Sequence, residues 1–428
     1  MEEGWKEDSL KTIAISITNG FNPKKESNQK YLGLEHVEQE SLRINSIGNS
    51  NETTSNKKKF FKGDILFGRL RPYFRKVVQP KFNGVCSSEF IVINAKEGNS
   101  QKYLYYLIAD KDFVDRITKT CGGVDRPRAQ WNIISELKIV YPKSYFEQQK
   151  IATILSNYDD LIENNLKRIE LLEKTAKLIY EEWFVKFKFP GHEDVKMVES
   201  EIGIIPEGWD AVTLRSLIDY YIGGGWGKET IDEDHIVEGF VIRGTDFPKL
   251  NAGNLKEVPF RFHKKNNFNS RKLRDLDIIF EVSGGSKDQP VGRNYLVSEP
   301  ILKKLNDQVM FASFCKLIRI KNKKLAHYIH MFLNEAYTNG IIEQYQVQST
   351  GISNFKFEAF IDNVEIAIPN ENLIEAQDVF FNYVYSQIFN LRIKINNLQK
   401  TRDLLLPKLI NGVVNVSNLD IVIPEAKI

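Results

Sequence analysis

The residues best suited to chemistry in this chain are cations. Between Lys57 and Lys81 stand nine basic residues, Lys57, Lys58, Lys59, Lys62, Arg69, Arg71, Arg75, Lys76 and Lys81, against one acid, Asp64. Phe60, Phe61, Phe67, Tyr73 and Phe74 are interleaved with them. A second run, Arg261, Lys264, Lys265, Arg271, Lys272 and Arg274, contains no acid. Lysine and arginine neutralise phosphates and release counterions, and arginine can fork onto guanine in the major groove. One basic run alone is equally consistent with a solvated strand face. Two runs at matching positions point to nucleic acid. Arg69, Arg71 and Arg75 are the first candidates for base contacts, with Lys62 and Lys76 beside them. In the second half the candidates are Arg243, Lys287 and Arg293, joined by Lys228, Lys264 and Lys265. Lys228 closes the loop Gly223-Gly224-Gly225-Trp226-Gly227. Its glycines either admit a nucleic-acid backbone at close range or make a tight turn.

These positions are organised by an internal repeat, the first thing to seek in a chain of this length. Each half opens with Gly-Trp and a leucine five residues beyond the Trp: Gly4-Trp5 with Leu10, and Gly208-Trp209 with Leu214. Each then has a strand, Asp64-Ile65-Leu66-Phe67 or Asp277-Ile278-Ile279-Phe280, beside its basic run. A glycine turn follows (Gly122-Gly123-Val124, and Thr350-Gly351-Ile352), then a strand ending at Pro142 or Pro369. The strand-final prolines lie 227 residues apart but the tryptophans only 204, so a variable region precedes a constant one in each half.

The constant part is helical. Residues 147–186 contain no Gly or Pro, and a heptad places Leu155, Ile162, Ile169, Ala176 and Trp183 on one seam. Ile151, Tyr158, Asn165, Leu172 and Ile179 form the other. An offset of 226 gives Phe381, Ile388, Ile395 and Leu409, with Val384, Leu391, Leu398 and Leu405; Arg402 is the one break. Pro407 is expected to end or kink this helix, with Gly412 as a cap. Seams that align through a repeat predict two long helices paired antiparallel as a coiled coil. The alternative is two amphipathic helices each packed on its own domain.

The expected architecture is thus α/β (α+β), with two pseudo-symmetric globular domains separated by the helix pair. The expected boundaries are residues 1–146, the central helix 147–190, the second domain 191–374, the distal helix 375–413 and a tail 414–428.

Composition sets outer limits. The 428 residues are 42% hydrophobic and 27% charged, which is globular and not disordered. A net charge of +3 excludes a histone-like protein. Three scattered cysteines, Cys86, Cys121 and Cys315, argue against a disulfide framework or zinc ribbon and for a reducing cytoplasm. The chain starts without the basic and apolar regions of a secretory signal, and no run of ~18–20 apolar residues suits a membrane span. No Pro-Pro occurs, so the motif that holds a flipped adenine is missing, and no phosphate-binding Gly-x-x-x-x-Gly-Lys-Ser/Thr is present. Asp125 with Glu136 and Lys138 only superficially resembles a nuclease triad, and His327 with His330 lacks a third ligand.

The chain resembles the specificity subunits of type I restriction-modification systems. The resemblance rests on Ile205-Pro206-Glu207-Gly208-Trp209, Gly63-Asp64-Ile65-Leu66 and the Thr350-Gly351-Ile352 turn. Its most specific parts are Glu147-Gln148-Gln149-Lys150-Ile151-Ala152 and Leu405-Leu406-Pro407-Lys408-Leu409-Ile410-Asn411-Gly412. It implies two target recognition domains, each reading half of a split site in double-stranded DNA. It further implies helices that dock methylation subunits, two of them, and restriction subunits. The chain would be non-catalytic and need no cofactor of its own, since S-adenosylmethionine, Mg²⁺ and ATP belong to those partners. The first half lacks both the preceding Ile-Pro and the triple glycine, so loop contacts do not transfer between halves. A coiled-coil scaffold and a self-sufficient nuclease are the competing classes. The first predicts DNA binding without sequence preference, the second Mg²⁺-dependent cutting by the isolated chain.

Overall fold

The two ends of each variable region are joined by an antiparallel strand pair, as the repeat requires. In the computed structural model Trp5–Ser9 pairs with Lys138–Pro142, Trp5 opposite Pro142. Asp210–Thr213 pairs with Glu365–Ile368 in the same sense. The structure describes all residues except 1–3, 27, 123–124, 286–288, 350–351 and 424–428, and only the backbone of 349 and 352. The Gly123-Val124 and Thr350-Gly351 turns therefore lie outside the described residues.

The chain divides into two compact units, Met1–Glu163 with Asn397–Ile428, and Asn164–Asn396. The first contains a four-stranded sheet in the order Ala14–Ile17, Phe90–Ala95, Ile65–Gly68, Val77–Val78. Beside it is a five-stranded sheet in which Lys57–Phe60 lies between Asn19–Phe21 and Gly84–Cys86. The second unit repeats the four-stranded order with Ile218–Gly223, Cys315–Ile320, Ile278–Glu281 and Asn294–Leu296. The two Asp-Ile strands are thus equivalent central strands. Both begin the same way: buried Asp64 accepts from the Phe61 N–H at 2.8 Å, and buried Asp277 from the Arg274 N–H at 2.7 Å. An aspartate closing a tight turn before an apolar strand is a local device that either half can use independently.

The long helices start where their caps place them. Ser144 accepts from Glu147 and opens the helix Tyr145–Tyr180, which continues as a π-helical turn, Glu181–Val185. Asn370 accepts from Leu373 and opens Glu371–Ile410. A polar side chain just beyond a strand-final proline satisfies the first free N–H groups.

In the first unit Ile151, Leu155, Leu406 and Leu409 join the same core as Ile65, Phe67 and Tyr103. Asp159 meets Arg402, while Lys150 donates to the carbonyls of Ser417 and Leu419, so the two segments run antiparallel. In the second unit Ile169, Ala176, Phe381, Val384, Ile388 and Leu391 are buried, and Glu173 pairs with Arg392 at 2.7 Å. The seam read from the heptad is therefore the buried face, with Arg402 inside it.

Pro407 does not stop the distal helix, which runs on to Ile410. Burial of Leu406, Leu409 and Ile410 outweighs the local cost of an internal proline, about 3 kcal/mol. Gly412, at φ 70°, ends it as expected. No helix among the described residues is long and apolar enough to cross a membrane.

Candidate nucleic-acid interface

Six of the nine residues of the first basic run already have partners in the fold, four of them buried or half-buried and two, Lys59 and Lys81, in surface ion pairs. Buried Lys57 donates to Ser55, and Lys58 to the Phe90 carbonyl at 2.6 Å; burial lowers the pKa of both. Lys59 pairs with Glu26. Lys76 donates to the Leu34 carbonyl and is likewise lowered by burial. Lys81 reaches Asp160 and Glu163. Arg75 is buried against the Ala109 carbonyl at 2.7 Å.

Three basic residues remain. Lys62 is exposed, with no side-chain partner among the described residues, but it precedes the Ile65–Gly68 strand while Arg69 follows it. Lys62 and Arg69 thus mark opposite ends of that strand. The Arg69 side chain has no hydrogen bond or ion pair among the described residues, and its Nε is buried without a partner. Arg71 Nε is likewise buried without a partner, while its Nη2 donates to the Asp125 carbonyl at 3.3 Å and lies 3.8 Å from the Asp125 carboxylate. An unpaired guanidinium N–H is costly to bury, so such a group at a surface is available to a ligand.

Two further arginines that the sequence reading does not single out join this pair. Leu70 bridges to Arg128, the Ala129 N–H bonds Arg69 O, and the Arg71 N–H bonds Pro127 O. This brings Arg126 and Arg128 beside Arg69 and Arg71. Arg128 forks onto Glu89 at 3.1 and 3.3 Å, and exposed Arg126 lies 3.9 Å from Asp125. Four arginines thus face two carboxylates. The available signal is the Asp125-Arg126-Pro127-Arg128 string after the glycine turn, three of whose four residues are basic or fix the backbone beside them.

In the second unit the candidates carry more internal partners. Arg243 forks onto Asp246 at 2.7 and 2.9 Å, and Arg293 onto Glu281 at 2.8 and 2.9 Å. Lys228 pairs with Asp232, and Lys264 with Asp234. Lys265 is exposed and has no side-chain partner among the described residues. Lys287 lies outside them.

Lys228 bridges to Phe262 on the strand Phe260–Lys264, so Lys228, Arg261 and Lys264 share one strand edge, with Arg261 stacked over Trp226 at 4.8 Å, and Lys265 opens the helix that follows. The glycine loop packs inward. A Cβ at Gly224 would lie 2.1 Å from Ala312 O, and one at Gly227 (φ +78°) 2.6 Å from the His263 ring. Gly223 alone has open space. At the positions of Arg69 and Arg71, counted from the shared Asp-Ile strand, this unit has Val282 and Gly284.

Neither metal reading gains a cluster. Glu136 pairs with Lys11 at 2.7 Å, and no group of three or more potential ligands converges among the described residues. His327 stacks on Tyr385 and Phe381, and burial pushes its imidazole down to about 4. The unfolded chain, at about 6.5, takes the proton more readily. Burying the neutral ring therefore costs no stability well above pH 6.5, and the loss grows as pH falls towards 4, reaching about 2 kcal/mol at pH 5. Burial also pushes the His330 imidazole down, to about 3, so thermal melts should show acid destabilisation of the second unit between pH 7 and 5, and His327→Phe, which keeps the stacking, should reduce it and leave the part carried by His330. An equally steep pH dependence in that variant would assign the effect elsewhere.

Four arginines against two carboxylates, two of them with a buried Nε–H that lacks a partner, make this loop a candidate polyanion-binding surface. Comparison with known proteins makes this specific. A family model described as the type I restriction modification DNA specificity domain matches residues 2–174. The MjaIX type I restriction enzyme specificity subunit of Methanocaldococcus jannaschii is 28% identical over 375 residues, 84% of this chain and 79% of that one. The protein assigned as the MjaX specificity subunit of the same organism is 30% identical over 299 residues, 65% of this chain and 67% of that one. The crystal structure of the type I S subunit from M. genitalium shares the fold over 95% of this chain and 96% of that one, with a TM-score of 0.59 at 15% identity. The chain belongs to the type I restriction-modification specificity subunits. It is the DNA-specificity component of such a system and not itself an enzyme.

Proposed function

We propose that this chain reads a bipartite site in double-stranded DNA, one half-site per unit, and docks methylation and restriction subunits through its helices. The observation that carries the reading is one strand order built twice with different loops. Where the first unit has Arg69 and Arg71, the second has Val282 and Gly284. One scaffold with two loop chemistries suits two unlike half-sites.

In the first unit the proposed contacts are Arg69 and Arg71 towards bases, with Arg126, Arg128 and Lys62 towards phosphates. In the second, Lys264 and Lys228 follow the strand edge, with Lys265 just beyond it, while Arg243, Arg293 and Lys287 flank it. Two methylation subunits and the restriction subunits supply the S-adenosylmethionine, Mg²⁺ and ATP chemistry. The proposed domain limits remain 1–146, 147–190, 191–374, 375–413 and 414–428.

Enrichment of random duplexes by the full chain, co-purified with its methylation subunits, tests this. Two conserved blocks separated by a fixed gap are expected. A single block, or no enrichment, would overturn the reading in favour of a scaffold.

A further inference from the structure

The reading loop of the first unit is held in an unfavourable shape. The turn Pro72–Phe74 is bounded by Arg71 at φ 50° and Arg75 at φ 47°, both left-handed and neither glycine. Each such residue costs on the order of 1 kcal/mol, so the surrounding structure must hold the turn in place.

Arg75 offers the means. Its side chain is 10% exposed. Nε donates to the Ala109 carbonyl at 2.7 Å, and Nη2 lies 3.8 Å from Asp403 Oδ1 on the distal helix. Asp403 accepts from Arg402 at 3.0 and 3.2 Å. Arg402 donates to Asp159 on the central helix at 2.6 Å, and Asp159 accepts from Tyr106 at 2.6 Å. A continuous polar chain therefore runs from the loop into the seam of the helix pair, entirely within one unit. A guanidinium so placed reaches a phosphate only by abandoning these partners.

We propose that Arg75 is a positioning residue: it ties the loop to Asp403 and so holds Arg69 and Arg71 in their DNA-reading geometry without touching DNA itself. This rests on the reading of Arg69 and Arg71 as contacts. Asp403 gives the sharpest consequence. Removing an acid near a DNA site by electrostatics alone tightens binding; removing a tether weakens it for the correct sequence only.

The test uses the full chain with its methylation subunits and two short duplexes, one carrying the motif mapped in cells and one scrambled, across a KCl series. Arg75→Met and Asp403→Asn are each expected to weaken motif binding about tenfold, the lower end for a lost base contact. Scrambled-duplex affinity and the salt slope should stay unchanged. A slope reduced by about one on both duplexes in Arg75→Met marks a phosphate contact and overturns the proposal. So does tighter or unchanged motif binding in Asp403→Asn; because Asp403 also accepts from buried Arg402, unchanged hydrogen-exchange protection along residues 145–163 and unchanged scrambled-duplex affinity are required to read weaker motif binding as loss of the tether. Arg69→Ala separates the two levels. If it leaves motif binding intact, the loop reading falls and Arg75 falls with it. If it weakens binding while the Arg75 and Asp403 variants do not, only the positioning role is wrong.

Discussion

Arg69→Ala and Arg71→Ala should each weaken binding to the target duplex by about 10–100-fold, the ~1–3 kcal/mol of a bidentate arginine–guanine contact. Each should also relax the sequence requirement at one position in one half of the site. The expectation follows from their state in the protein. Both Nε–H groups are buried without partners; Arg69 has no internal bond to break before DNA is engaged, and Arg71 only its long contacts to exposed Asp125. Lys62→Ala serves as contrast. A cation at the far end of the strand that contacts phosphate should weaken all duplexes alike and lower the salt slope by about one. Titrations of motif and scrambled duplexes at several salt concentrations separate the two patterns. Arg69 and Arg71 variants with unchanged specificity would remove the loop from the interface.

Asp159→Ala should destabilise the first unit by about 3 kcal/mol, the low end for stripping the partner from a buried charge. Arg402 is almost completely enclosed, and Asp159 accepts from it at 2.6 Å. Asp403 remains as a second partner, which keeps the loss at the low end. Replacing both groups with leucine should restore most of the stability, because the cost lies in the orphaned charge and not in the absent pair. A chain of two units does not unfold as one cooperative step, so the measurement is amide hydrogen exchange along residues 145–163. Protection lost in Asp159→Ala and regained in Asp159→Leu with Arg402→Leu is the expected pattern. If the double variant is as weak as the single, the pair itself is stabilising.

Much of the fold was legible because its signals are local. The Gly-Trp openings, the Asp-Ile strands and the strand-final prolines each report a turn or cap set within a few residues. The heptad seam reports which helix face is buried. What escaped the sequence depends on residues far apart in the chain. Arg402, a break in the stripe, is a seam residue whose partner, Asp159, lies 243 positions away. Lys57, Lys58, Lys76 and Arg75 read as surface cations, yet each is turned towards an oxygen of the fold itself. Strand alternation does not predict this, because a long side chain can fold back from either face. Arg126 and Arg128 join Arg69 through a single bridge at Leu70 that no spacing announces. Pro407 shows the reverse case, a local stop signal that does not end the helix because its neighbours Leu406, Leu409 and Ile410 are buried.

The most direct test of a two-headed DNA reader is a genome-wide map of methylated bases in cells carrying this chain and its methylation partner, and in cells lacking only this chain. The account predicts a two-part motif with a fixed gap that disappears with the chain. A single-part motif, or methylation unchanged without the chain, would contradict it.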